Sequence, residues 1–211
     1  MKKLFIFWLI ILSPQIYAQN VSLSLDNSSD SAFRIFVNGG IGFAKLDNQS
    51  EIDYNLDVDY FETIFNYKFS ERFGLATGIG INELSGNAFN ALGNFYQVRE
   101  ELRIPLLGTY DYEIAEKIKT IFFVGFYAKN IMNDEFSYID QTQQNVFEGW
   151  GFGFQANVSF VYAFSDFMGF GLVLNSQSDF NNFETSSGSP FQDEQKIEDI
   201  TSLGVSVIFN F

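Results

Sequence analysis

Between Gly149 and Phe164 the chain alternates with a period of two. Trp150, Phe152, Phe154, Ala156, Val158, Phe160, Tyr162 and Phe164 occupy one set of positions. Gly149, Gly151, Gly153, Gln155, Asn157, Ser159, Val161 and Ala163 occupy the other. Successive side chains of a β-strand point to opposite faces, so this spacing predicts a strand with one large aromatic face and one small or polar face. At 16 residues it far exceeds the usual strand of about 5–6 residues. In a membrane barrel the large face meets lipid and the small face lines the lumen.

The same alternation recurs along the chain. Phe33–Phe43 sets Phe33, Ile35, Val37, Ile41 and Phe43 outward against Arg34, Phe36, Asn38, Gly40 and Gly42. Phe61–Phe69 sets Phe61, Thr63, Phe65, Tyr67 and Phe69 against Glu62, Asn66 and Lys68. Leu75–Ile81 and Tyr96–Gly108 follow, the latter with Arg99, Glu101 and Arg103 inward. In Thr120–Asn130 the apolar residues are nearly continuous, and Phe122, Val124, Phe126 and Ala128 are assigned outward. Phe167–Gln177 and Ile197–Phe211 complete the set. The expected fold is therefore all-β: an eight-stranded antiparallel up-and-down transmembrane β-barrel. An even strand number suits a single-chain outer-membrane barrel. Closure is required because hydrocarbon offers no partner to an unpaired backbone N–H or C=O.

Connections sort by parity. Residues 70–73 and 165–166 read as tight turns and 111–117 as a modest one. Residues 47–58, 83–94, 131–148 and 178–196 read as longer polar loops. Short periplasmic turns opposite long external loops would put both chain ends in the periplasm. Pro105, inside a strand without a ladder donor, predicts a bulge or local irregularity. Aromatic girdles are expected from Tyr67, Phe69, Phe73, Tyr110, Phe164, Phe209 and Phe211 at one interface, and from Tyr96 and Trp150 at the other.

The first residues read as an export signal. Met1-Lys2-Lys3 precedes an apolar run from Leu4 to Leu12, and Ala18 offers a cut site. The run is too short to span a bilayer as a helix. The expected organisation is a signal peptide at 1–18, a periplasmic lead segment at 19–30 and the barrel at 31–211. Losing Lys2 and Lys3 takes the net charge from −14 to −16, which argues against nucleic-acid binding. With no cysteine in the chain, a disulfide framework and a thiolate metal site are excluded.

The chain ends Val207-Ile208-Phe209-Asn210-Phe211. Phe209 and Phe211 form an alternating, aromatic-terminated last strand that resembles the signal read by the barrel-assembly machinery. Leu102-Arg103-Ile104-Pro105-Leu106-Leu107, Phe123-Val124-Gly125-Phe126-Tyr127 and Gly149-Trp150-Gly151-Phe152-Gly153 resemble the PorT-like "porin family" of small outer-membrane barrels in Bacteroidetes. The resemblance covers roughly 33–211, and the shape is similar to OmpA and OmpX. One member of that family belongs to a protein-secretion apparatus, so the resemblance implies an accessory secretion role as one alternative.

Candidate chemistry centres on Arg34, Glu62, Lys68, Arg99, Glu101 and Arg103, all inward by phase. An eight-stranded barrel is only wide enough for its side chains to fill. These charges are expected to pair with one another, since an unpaired buried ion is costly. The inward glycines are expected to make room for long side chains such as Arg103 or Tyr127, or to relieve curvature. Acids at Asp53, Asp57 and Asp59 and at Asp193, Glu194, Glu198 and Asp199 are read as solvated loops, without the turn glycine and distal Glu of a calcium loop. The chain has no histidine, so a Ser–His–Asp triad and a His-ligated metal are impossible, and no carboxylate pair is singled out by spacing. The expectation is a non-enzymatic, monomeric barrel without cofactor or metal. Its partners would be outer-membrane lipid, lipopolysaccharide and the assembly machinery, with a structural or surface-interaction role. A narrow porin-like conduit is the other alternative.

Overall fold

The computed structural model describes residues 32–186 and 193–211. The export signal and lead segment at 1–30 lie outside the described residues. Eight long strands run antiparallel: β1 (Phe33–Asn48), β2 (Tyr54–Lys68), β3 (Phe73–Asn90), β4 (Gly93–Ala115), β5 (Ile118–Ser137), β7 (Gly149–Ala163), β8 (Met168–Asp179) and β10 (Glu194–Asn210). Two short strands, β6 (Thr142–Gln144) and β9 (Phe183–Glu184), pair with the outer ends of β5 and β10. Each long strand pairs with its neighbours in chain order, and β1 pairs with β10 from Arg34↔Asn210 to Asn48↔Gln195. The sheet is therefore a closed, up-and-down β-barrel of eight strands. Closure leaves these strands no free edge, which is how a sheet satisfies its backbone in hydrocarbon.

The exposed side chains form a belt. On β1 it runs from Phe33 to Phe43, on β8 through Phe170, Leu172 and Leu174, and on β10 through Leu203 and Val205. About ten residues at about 3.3 Å each, on strands tilted by about 40°, give a band about 25 Å tall. That is the height of the apolar band on outer-membrane barrels. Aromatic contacts ring its lower margin: Phe33–Tyr67, Phe73–Tyr110, Tyr110–Phe122, Phe164–Phe170, Phe167–Phe209 and Phe167–Phe211, at 5.2–6.3 Å between centroids. Trp150 is exposed on β7, whereas Tyr96 sits higher, opposite Ser137.

One expectation changes. The connections expected at 83–94 and 131–148 are largely strand, and strand enters both ends of the one expected at 178–196, because the ladders continue above the belt. The β3–β4 hairpin closes on the pair Asn90↔Gly93, with Gly93 at φ +118° where a side chain would be strained. At 23, 20 and 18 residues, β4, β5 and β3 are about twice the 9–11 residues needed to cross a bilayer. At the other end the turns are 69–72, 116–117 and 164–167. At Pro105 the expected irregularity is a gap in the ladder rather than a bulge. The β3–β4 pairing lapses opposite Ile104 and Pro105 and resumes in the same register, and Pro105 still pairs with Tyr127.

Of three register shifts, one lies at the short-turn end between Glu113 and Ala115, and the two higher up reverse the inward phase. On β5, Glu100 faces Asn133 and Glu101 faces Ile131, so Met132 is the extra residue. Inward positions pass from Lys129 and Ile131 to Asp134 and Phe136. On β10 the shift opposite Lys45 and Leu46 makes Glu198 the extra residue. Inward positions pass from Gln195 and Ile197 to Ile200 and Ser202.

Candidate functional site

Side chains fill the lumen in layers. The lowest is polar. Arg34 donates from both terminal nitrogens to Asp111, at 2.7 and 2.8 Å, and also to Asn66 Oδ1. Asn66 Nδ2 donates to Thr109 Oγ1 at 2.9 Å, and Lys68 Nζ lies 3.6 Å from Asp111. One strand-step higher, Phe36, Ile64, Ala76, Leu107, Ile121, Phe123, Val161 and Ile208 pack as an apolar cluster from seven strands. Phe36 and Phe123 meet edge to face at 5.1 Å across the axis. This layer is a dam, since it offers an ion nothing to replace its hydration shell.

Above the dam the lumen turns polar again. Arg103 donates to Glu62 at 3.2 Å and to Gln155 at 3.0 Å. Lys129 Nζ bridges Glu101 at 2.8 Å and Asp179 at 2.7 Å, and the Tyr127 hydroxyl donates to Asp179 at 2.7 Å. Tyr127 lies over Gly153 and Tyr60 over Gly204 so closely that a Cβ at either glycine would collide with the ring. Buried polar atoms of Asn157, Ser159, Asn175, Ser202 and Ser206 have no protein partner, a setting that calls for water.

A second apolar storey closes the top. Ala44, Leu46, Leu56, Val58, Leu84, Ile197 and Ile200 pack on one side. Phe95, Ile131, Phe136, Val146, Phe147 and Phe183 pack on the other, with Phe95 and Phe136 stacked at 4.4 Å. Arg99 sits among them, bonded to Asp134 at 3.0 and 3.3 Å. Asp134 also accepts from Gln97 Nε2 and the Phe147 N–H.

The six inward charges expected from the sequence are all buried, but they do not form one cluster. Only Glu62 and Arg103 pair with each other. Arg34 and Lys68 share Asp111, Glu101 takes Lys129, and Arg99 takes Asp134. Lys129 is legible as an inward position of its strand. Asp111 reads as turn from the sequence, and Asp134 and Asp179 read as external loop. In the barrel proper, five buried cations (Arg34, Lys68, Arg99, Arg103 and Lys129) face five buried carboxylates (Glu62, Glu101, Asp111, Asp134 and Asp179).

The chain's negative charge lies elsewhere. Of 26 carboxylates, two precede the described barrel, five line the lumen and four (Glu71, Glu113, Glu116 and Asp166) lie at the short-turn rim. Fifteen remain on the outer half, with only Lys45 and Lys196 as cations. Both lysines are bridged, to Glu198 and Asp47. Asp59, Glu83 and Glu100 stand side by side across β2, β3 and β4, a like-charge ladder just above the apolar belt. The expected loop acids are partly strand residues: Asp57 and Asp59 lie on β2, and Glu198 and Asp199 on β10. Asp53 accepts the Asn48 N–H and Asp193 the Ser50 N–H. Among the described residues no group of three or more carboxylates is placed to hold a metal ion. At the outermost end Tyr138 accepts from Asn90, and burial holds its hydroxyl above the usual tyrosine range despite that bond.

No family model matches the chain, and no curated protein matches it. Among solved structures it is similar to the Neisserial surface protein A (NspA). The TM-score is 0.54 at 9% identity, over 86% of this chain and 98% of that one. It is likewise similar to a major outer membrane protein from Thermus thermophilus, with a TM-score of 0.53 at 9% identity, over 85% of this chain and 100% of that one. The fold is that of the small outer-membrane β-barrel proteins.

Proposed function

We propose that this chain is an integral outer-membrane barrel whose role is structural or surface-interactive, carried by the acidic cap rather than by the lumen. One observation carries the reading. The lumen is crossed by two apolar storeys, and the lower one, built on Phe36 and Phe123, comes from seven strands. A continuous belt of exposed aromatic and aliphatic residues far exceeds the few hundred Å² that a soluble monomer leaves bare, which supports a lipid-facing exterior. On this reading the chain is exported by its N-terminal signal, and both ends lie in the periplasm. Phe209 and Phe211 serve the assembly machinery, and the barrel works as a monomer among lipid and lipopolysaccharide without catalysing a reaction. Kinship with the PorT-like small porins, and with it an accessory secretion role, rests on the motifs at 102–107, 123–127 and 149–153.

The polar middle storey supports a second reading, a narrow conduit. One experiment separates the two. The chain is refolded into detergent, its folding followed by the gel shift between boiled and unboiled samples, and conductance measured on the same material in planar bilayers. A gel shift without steady conductance is expected. Steady water-filled conductance would replace the surface role with the conduit, and identical migration of the two samples would remove the barrel itself.

A further inference from the structure

The outermost end of the barrel carries apolar side chains that neither the core nor the belt uses. Ile139 is 94% exposed, Ile52 65%, Phe89 52% and Leu92 43%. They sit on three tips that the structure ties together. Asn90 Nδ2 donates to the Tyr138 hydroxyl at 2.8 Å, and the Ala91 N–H donates to Glu51 Oε2 at 3.0 Å. The Phe95 ring lies 5.6 Å from Tyr138. The patch is thus braced from beneath, not made of independent loops.

Lipid is a poor occupant for it. Phe89 is eight residues beyond Ile81, the last belt residue of β3, which places it about 20 Å higher on a tilted strand. Between the two lies the ladder of Asp59, Glu83 and Glu100. An apolar tip held above an acidic collar is presented to solvent.

Resting on the surface-interaction reading, we propose that this tip docks a cationic polypeptide segment that carries apolar side chains. Charge complementarity selects that partner. The outer half has fifteen carboxylates against two bridged lysines, so an anionic partner is repelled and a basic one is steered in. The tip side chains then supply the apolar anchors that a purely electrostatic encounter lacks.

The test uses the full chain in nanodiscs of zwitterionic phosphatidylcholine, with empty discs as blank, and synthetic Lys/Leu, Glu/Leu and Lys/Ser peptides of equal length. The Lys/Leu peptide should bind above the blank, weaken about tenfold as salt rises from roughly 0.05 to 0.5 M, and outcompete the Glu/Leu peptide. The triple variant I52S/L92S/I139S should weaken Lys/Leu about tenfold and leave Lys/Ser unchanged, because it removes anchors and no charge. The variant D59N/E83Q/E100Q should weaken both Lys peptides and flatten the salt dependence. Both variants should keep the folded gel shift, since the substituted side chains point away from the lumen. Binding no better than to empty discs, equal binding of Glu/Leu, or a triple-serine variant that binds Lys/Leu normally would overturn the assignment. A separate arm guards the reading beneath it. Because the chain has no cysteine, I139C in intact cells reports surface exposure through a membrane-impermeant maleimide. Labelling without peptide binding overturns the partner alone; a folded barrel that does not label overturns the surface role.

Discussion

Below its upper storey the barrel balances its charges inside, and above the charged short-turn rim its outside is apolar. Arg34, Lys68, Arg103 and Lys129 meet Glu62, Glu101, Asp111 and Asp179 there, each ion with an opposite partner, and the outer surface is an apolar belt. Above the belt the arrangement inverts. The interior becomes a cluster of stacked rings around one ion pair, Arg99–Asp134, and the exterior gathers most of the negative charge. The surroundings each half must tolerate explain the contrast. A lumen wrapped in hydrocarbon can hold ions only as pairs, whereas a wall standing in water can carry like charges that salt screens. The lower half keeps its ions paired inside an apolar wall, and the upper half carries its excess charge on the outside.

The sharpest way to break this comparison is to open the dam. Phe36→Ala together with Phe123→Ala removes both rings of the edge-to-face contact. Each truncation should cost about 3–5 kcal/mol, read as a lowered midpoint of urea unfolding in lipid. With the upper storey intact the double variant should stay as silent in planar bilayers as the parent; steady conductance from it would show that the lower layer is the only barrier and break the two-storey picture.

Next in size is the ion pair inside the cap. Asp134→Ala strands Arg99 among aromatic rings and should cost about 3–5 kcal/mol, while Glu198→Ala, which breaks the exposed pair with Lys45, should cost no more than about 1 kcal/mol. Equal losses would mean that the cap interior is as wet as the surface. A third substitution compares belt with cap directly. Leu172→Arg in mid-belt should destabilise by about 2–4 kcal/mol, whereas the same change at exposed Asn87 above it should be nearly neutral. Matching losses would place the lipid boundary elsewhere. Smallest of all, Glu83→Gln should stabilise by roughly 0.2–1 kcal/mol by relieving Asp59 and Glu100, and the gain should vanish at high salt. A gain that persists in salt would point to packing rather than repulsion.

Particular residues show how far the sequence reaches. The alternation from Trp150 to Phe164 is enough to name the lipid face, because period two is a property of one strand's backbone and needs no knowledge of its neighbours. The same logic turns Arg99, Glu101 and Arg103 inward. It stops at the bulges. Asp134 reads as outward if the phase of Thr120–Asn130 is simply extended, and only the extra residue Met132, set by pairing with β4, rotates it in to meet Arg99. Asp179 is hidden for another reason: polar composition above the belt looks like loop, although the ladder continues there. The apolar tip of Ile52, Leu92 and Ile139 likewise comes from three distant segments.

By itself the sequence determined the strand number, the two faces of each strand, the lipid-facing belt and the absence of histidine or cysteine chemistry. All of these are local, and backbone geometry writes them residue by residue. The tertiary structure alone decided which ion meets which, where apolar layers cross the lumen and how far the walls rise above the belt. Those depend on register, bulges and closure, which bring together residues that no spacing along the chain connects.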